Sequence, residues 1–118
     1  MHERLCALKG FLRAISILEE EIRGKYGLTL TEALCLCSIG GGCNAAGNLA
    51  EEVGISASRL SRLLSSLEAK GLVERRRRDD DRRNWTNAPT QAGDSLIARM
   101  KTEGVNLPQE LERIAEGA

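Results

Sequence analysis

Ala50, Gly54, Ser56 and Leu60 stand at a spacing that few folds accommodate. Two helices crossing near a right angle through a tight turn need a small residue where they touch and a residue able to take positive φ in the turn. Ala50 supplies the first and Gly54 the second, while Leu60 and Leu63 close a core from the second helix. The chain therefore reads as a short helix over residues 44–53, opened by an asparagine cap at Asn44, and a turn at Gly54-Ile55-Ser56. Ser56 then caps a second helix, which keeps Leu60, Leu63, Leu64 and Leu67 on one face until Gly71 stops it.

Turning Leu60 inward and advancing about 100° per residue places Ser58, Arg62 and Ser65 on the opposite side. Arg59, Ser61 and Ser66 flank them, and residues 56–67 contain no acid. A solvated helix face ordinarily mixes both signs of charge. Short hydroxyls that allow close approach, with arginines able to grip guanine bidentately, suit the major groove of double-stranded DNA. Net charge over the chain is zero, yet residues 56–83 hold nine basic and five acidic side chains. Such a local excess is what a phosphate-binding surface produces.

After Gly71 the period changes from helical to extended: residues 72–76 read as a strand, 77–83 as a charged loop and 84–88 as a weak returning strand, with Pro89 at its edge. Four consecutive arginines, Arg75 to Arg78, would repel one another unless Asp79, Asp80 and Asp81 partly neutralised them. Arg77, Arg78 and Arg82 are then candidates for phosphate contacts, and Arg83 for the minor groove.

On the N-terminal side, Leu5, Leu8, Phe11, Leu12, Ile15, Leu18 and Ile22 recur every three or four residues, drawing an apolar stripe along a helix over residues 3–23. Cys6, Gly10, Ala14 and Ile17 form a second strip of small or apolar residues. A helix buried on two faces needs two neighbours, and in a chain of 118 residues, large enough for one core only, a symmetry-related copy could be the second; the alternative is that these small residues merely tolerate exposure. Gly24 and Gly27 are expected to break this helix, and Thr29-Leu30-Thr31-Glu32 offers a capping box for a helix over 30–39 that ends at Gly40-Gly41-Gly42. A last helical region runs over 90–100, pauses near 104–108 and resumes to 114.

Glu68-Ala69-Lys70-Gly71-Leu72-Val73-Glu74-Arg75-Arg76, the run Asp79-Asp80-Asp81-Arg82-Arg83, and Pro89-Thr90-Gln91-Ala92-Gly93 follow the helix pair in order. In this order they resemble the MarR family of regulators, over about residues 28–96. The resemblance implies a mainly α fold with a small antiparallel β wing: a winged helix-turn-helix flanked by N- and C-terminal helices that form a dimer interface. It implies one domain over 1–118, with dimerisation helices at 3–27 and 91–118 around a DNA-binding core at 28–90. Ser56, Ser58, Arg59, Ser61, Arg62 and Ser65 would meet DNA from the helix, and Arg77, Arg78, Arg82 and Arg83 from the wing. Asp81-x-Arg83 matches the family's wing motif, with Arg83 entering the groove and Asp81 shaping the turn. The implied function is a homodimeric repressor reading a palindromic operator. Control by small aromatic acids, common in that family, would add a small-molecule effector.

Two other readings compete: a winged-helix module that binds only proteins, and a cysteine-based redox-sensing regulator. Cys6 is placed like the sensing cysteine of the family's peroxide-responsive branch, with Tyr26 the one tyrosine available to activate it. Cys35 and Cys37 point to opposite sides of their helix, which argues for core packing and against a metal site. No cofactor is expected. The sole histidine is His2, and no nucleophile-base pair or phosphate loop is present, so the chain does not read as an enzyme. With no apolar run near the roughly 20 residues a spanning helix needs and no secretory signal at 1–4, a cytoplasmic location is expected.

Overall fold

A computed structural model describes residues 2–78 and 81–116, with side chains for 3–76 and 86–116. The elements run α1 (His2–Tyr26), α2 (Leu30–Gly40), α3 (Ala46–Val53), α4 (Ala57–Ala69), β1 (Val73–Arg78), β2 (Asp81–Pro89), α5 (Gln91–Glu103) and α6 (Gln109–Glu116). The fold is mostly helical with one small antiparallel two-stranded sheet. Among the described residues no helix is long and apolar enough to cross a membrane.

The chain divides into two compact units, residues 1–30 with 104–118 and residues 31–103. The terminal segment read as 91–118 is thus shared, with α5 grouped in the second unit and α6 in the first.

In the first unit α1 runs through Gly24 and ends only at Gly27, whose φ of +71° no L side chain adopts cheaply. The Gly27 N–H donates to the Arg23 carbonyl at 2.9 Å. Gly24 alone does not stop a helix because glycine costs only about 1 kcal/mol in its interior. Ala14, Leu18, Ile22 and Tyr26 are buried, whereas Leu5, Leu8, Phe11 and Leu12 are 58, 50, 38 and 67% exposed. The predicted stripe is therefore covered only over its C-terminal half. The Tyr26 hydroxyl donates to the Gly104 carbonyl at 2.5 Å, and the Asn106 N–H donates to Glu21 Oε1 at 2.9 Å, tying the chain after α5 to α1.

In the second unit the buried side chains include Leu36, Ile39, Leu49, Leu60, Leu64, Leu67, Val73 and Ile97. Gly54 caps α3 at φ 79° in the left-handed region, as the turn requires, and Ser56 Oγ caps α4 by accepting from the Arg59 N–H. The expected Asn44 cap of α3 is corrected: Ala45 occupies the cap position and supplies no side-chain bond. The Asn44 carbonyl instead accepts from the Asn87 N–H and Nδ2, and Ala45 bridges Thr86, so this segment borders the sheet.

The hairpin is longer than expected. β1 extends to Arg78 and β2 begins at Asp81, with Arg77 opposite Trp85 and a register shift before the Arg78–Asp81 pair. Most of the predicted charged loop is strand. Thr90 joins β2 to α5: its N–H donates to the Leu72 carbonyl at 3.0 Å, its Oγ1 to the Gly71 carbonyl at 2.6 Å, and it accepts from the Gly93 N–H at 3.1 Å.

Candidate nucleic-acid interface

The helix after the Gly54 turn, α4, is 13 residues and about 20 Å long. Its leucines at 60, 64 and 67 are buried, and Leu63 is half-buried. Ser56, Ser58, Arg59, Ser61, Arg62 and Ser65 are all exposed. Ser56 Oγ also lies 3.3 Å from Ser58 Oγ, so the two hydroxyls share the start of the helix. With no acid in the first turn, the positive end of the helix dipole is left attractive to phosphate. Ser66, expected to flank this face, turns inward and donates to Glu32.

The cations sort into two groups. Lys70 pairs with Glu32 at 2.8 Å, Arg75 with Glu68 at 2.5 Å, and Arg76 with Glu74. Exposed pairs such as the last two add little stability, but they commit their arginines. Among the described residues neither Arg59 nor Arg62 has an ion pair, so both guanidinium groups are available. The side chains of Arg77, Arg78, Asp81, Arg82 and Arg83 lie outside the described residues, as do Asp79 and Asp80 altogether.

Beside α4, the small residues Ala46, Gly47, Ala50 and Ala57 leave a cavity of about 240 Å³ whose wall also carries Ser61, Arg75 and Asn87. Asn87 is 2% exposed, and among the described residues its Oδ1 has no hydrogen-bond partner. The sequence reading missed Asn87, because a polar residue in a strand carries no sign of burial. It also missed Glu32 as a tertiary contact, having used it for the capping box.

Of the four cysteines, Cys6 is exposed and Cys35 buried. Cys37 is exposed, which corrects its expected place in the core. Burial pushes the Cys35 thiol up from 9.0 to about 11, with Cys43 adding to the effect. Partial loss of hydration raises Cys37, though its residue is exposed, against the opposing pull of Lys101, and raises Cys43 together with the Glu52 carboxylate. These three thiols stay protonated at neutral pH, a poor state for nucleophilic or metal chemistry. Between pH 9.0 and about 11 the folded chain keeps a Cys35 proton that the unfolded chain has lost. Stability fully present below that window therefore falls as pH rises through it. Cys35→Ala should flatten the fall by on the order of 2 kcal/mol, read as the difference in urea stability on the two sides of the window.

The profile of the MarR family matches residues 28–85, which take in α2 to α4 and most of the hairpin. This segment belongs to the MarR family. AbsC, a MarR family regulator from Streptomyces coelicolor, superposes with a TM-score of 0.72 at 24% identity, over 87% of this chain and 74% of its own. FabT of Streptococcus pneumoniae, solved in complex with DNA, superposes at 0.71 with 23% identity, over 99% and 80%. BpsR of Bordetella bronchiseptica, described for regulation of its DNA binding by 6-hydroxynicotinic acid, gives 0.73 at 18% identity, over 98% and 95%. At these identities the likeness is one of fold. No curated protein sequence matches the chain. The MarR winged helix-turn-helix is thus the frame in which α4 and the hairpin are placed.

Proposed function

We propose that this MarR-family chain is a sequence-specific DNA-binding transcription regulator, a homodimeric cytoplasmic repressor of a palindromic operator and not an enzyme. The observation that carries the reading is the exposed, acid-free serine and arginine face of α4, whose two arginines pair with no described carboxylate while their neighbours do. In this reading α4 enters the major groove, Arg62 and Arg59 read base edges or phosphates, and Ser56, Ser58, Ser61 and Ser65 allow close approach. Arg77, Arg78 and Arg82 track phosphates, and Arg83, held by Asp81, enters the minor groove.

Dimerisation is supported by the first unit, where Leu5, Leu8, Phe11, Leu12, Ile17 and Ile114 stand exposed and no residue of α6 is buried. A second copy would cover this apolar surface. The cavity beside α4 is of a size for a small effector, with Asn87 Oδ1 as a free acceptor. Effector control of BpsR, a protein of the same fold, supports that addition.

Selection of bound fragments from a randomised DNA pool tests the proposal. The expected product is a two-fold symmetric site with half-sites about one helical turn apart, whose affinity falls steeply with salt. No enrichment, with retention insensitive to salt, would leave a protein-binding module instead.

A further inference from the structure

The buried face of α4 rests on Leu60, Leu64 and Leu67, which set the side of the helix that faces the core. Beside the Arg75–Glu68 pair, α4 makes directional contacts to α2 at Glu32. Glu32, 4% exposed on α2, takes the Ser66 hydroxyl on Oε2 at 2.7 Å and the Lys70 ammonium on both oxygens, at 2.8 and 3.0 Å. Ser66 and Lys70 lie one turn apart, so the two bonds fix rotation and axial position together. Ser66 in turn lies one turn beyond Arg62. Glu32 is buried while the Lys70 side chain is 39% exposed, so desolvation of the carboxylate offsets much of the pair's attraction, and such pairs can serve registry more than net stability. The leverage is large: on a helix about 10–12 Å across, a roll of about 15° moves a side-chain tip about 1.5 Å, half the length of a hydrogen bond.

From this geometry we infer that Glu32 is a positioning residue for DNA reading, setting the roll of α4 through Ser66 and Lys70 so that Arg62 and Ser58 meet base edges in register. This rests on the DNA-binding reading above. Glu32 touches no DNA itself. Its loss therefore affects recognition of the right sequence and leaves general attraction to phosphate intact.

The test uses the full chain and two duplexes, the one most enriched by the wild type from a randomised pool and a scrambled sequence of equal composition. Glu32→Gln and Ser66→Ala are compared with wild type below each variant's unfolding midpoint. Glu32→Gln is expected to weaken the enriched duplex about tenfold, comparable to one mismatched base pair. The scrambled duplex and its salt slope should stay within about twofold of wild type. Ser66→Ala should move the same ratio in the same direction by less. Equal loss on both duplexes, or none on either, overturns the inference, since a structural role alone does not change their ratio. If Glu32→Gln fails to fold, Ser66→Ala decides by itself. A wild type that binds the enriched duplex and variants that bind it equally well refute only the role of Glu32. A wild type that binds neither duplex refutes the DNA-binding reading, and this inference with it.

Discussion

Gly93→Ala is expected to cost the second unit about 4 kcal/mol or more, enough to leave much of it unfolded under ordinary conditions. A Cβ on Gly93 would sit 2.1 Å from the Leu72 carbonyl oxygen, 3.1 Å from its carbon and 3.3 Å from Pro89 Cβ. The first of these is backbone, which cannot rotate aside as a side-chain tip can. That oxygen also accepts from the Thr90 N–H. Relief requires α5 to lift off the hairpin, breaking the Thr90 bonds to Leu72 and Gly71 together. Gly24→Ala is the control. It lies inside α1 with open space around its Cβ position and no positive φ, so it should stabilise by about 0.5–1 kcal/mol. Urea denaturation of both variants beside wild type checks the pair, and a Gly93→Ala protein as stable as wild type would contradict the close contact.

Arg62→Ala is expected to lower affinity for the selected operator by about 10- to 100-fold, equivalent to about 1–3 kcal/mol for a base-reading arginine. Affinity for a scrambled duplex should fall far less. Arg62 is exposed, and no described residue holds it in an ion pair, so its removal has little folding cost. Arg75→Ala is the informative comparison, because Arg75 already pairs with Glu68. Fluorescence anisotropy across a salt series separates the two roles: a lost phosphate contact lowers the salt slope, while a lost base contact lowers affinity at every salt concentration. If Arg62→Ala binds the operator as wild type does, Arg62 is not a reading residue.

The helix-turn-helix was legible because its demands are local. Gly54 must take positive φ, Ser56 must cap α4, and leucines spaced by three or four must face inward. The wing was legible in kind but not in extent, since strands are read from apolar alternation and residues 74–84 hold blocks of arginine and aspartate with nothing apolar. Tertiary pairing stayed hidden. Glu32 satisfies a capping pattern by its neighbours in sequence, whereas its partners Ser66 and Lys70 are 34 and 38 residues away. Asn44 was misread for the same reason, since a cap is a local inference and its carbonyl is bound by Asn87, 43 residues on. The exposed start of α1 was legible as apolar, and the expectation of a second neighbour came from that pattern.

The hairpin is moored at its foot on two sides. Asn87 and Thr86 tie β2 to the segment before α3, and Thr90 ties its end to Leu72 and Gly71, which follow α4 directly. The span between the foot of the ribbon and the helix is thereby set like the jaws of a caliper. On the proposed DNA-binding reading, a duplex whose grooves differ in spacing from that gap would have to bend to fit it, bringing the sequence-dependent stiffness of the double helix into the choice of site.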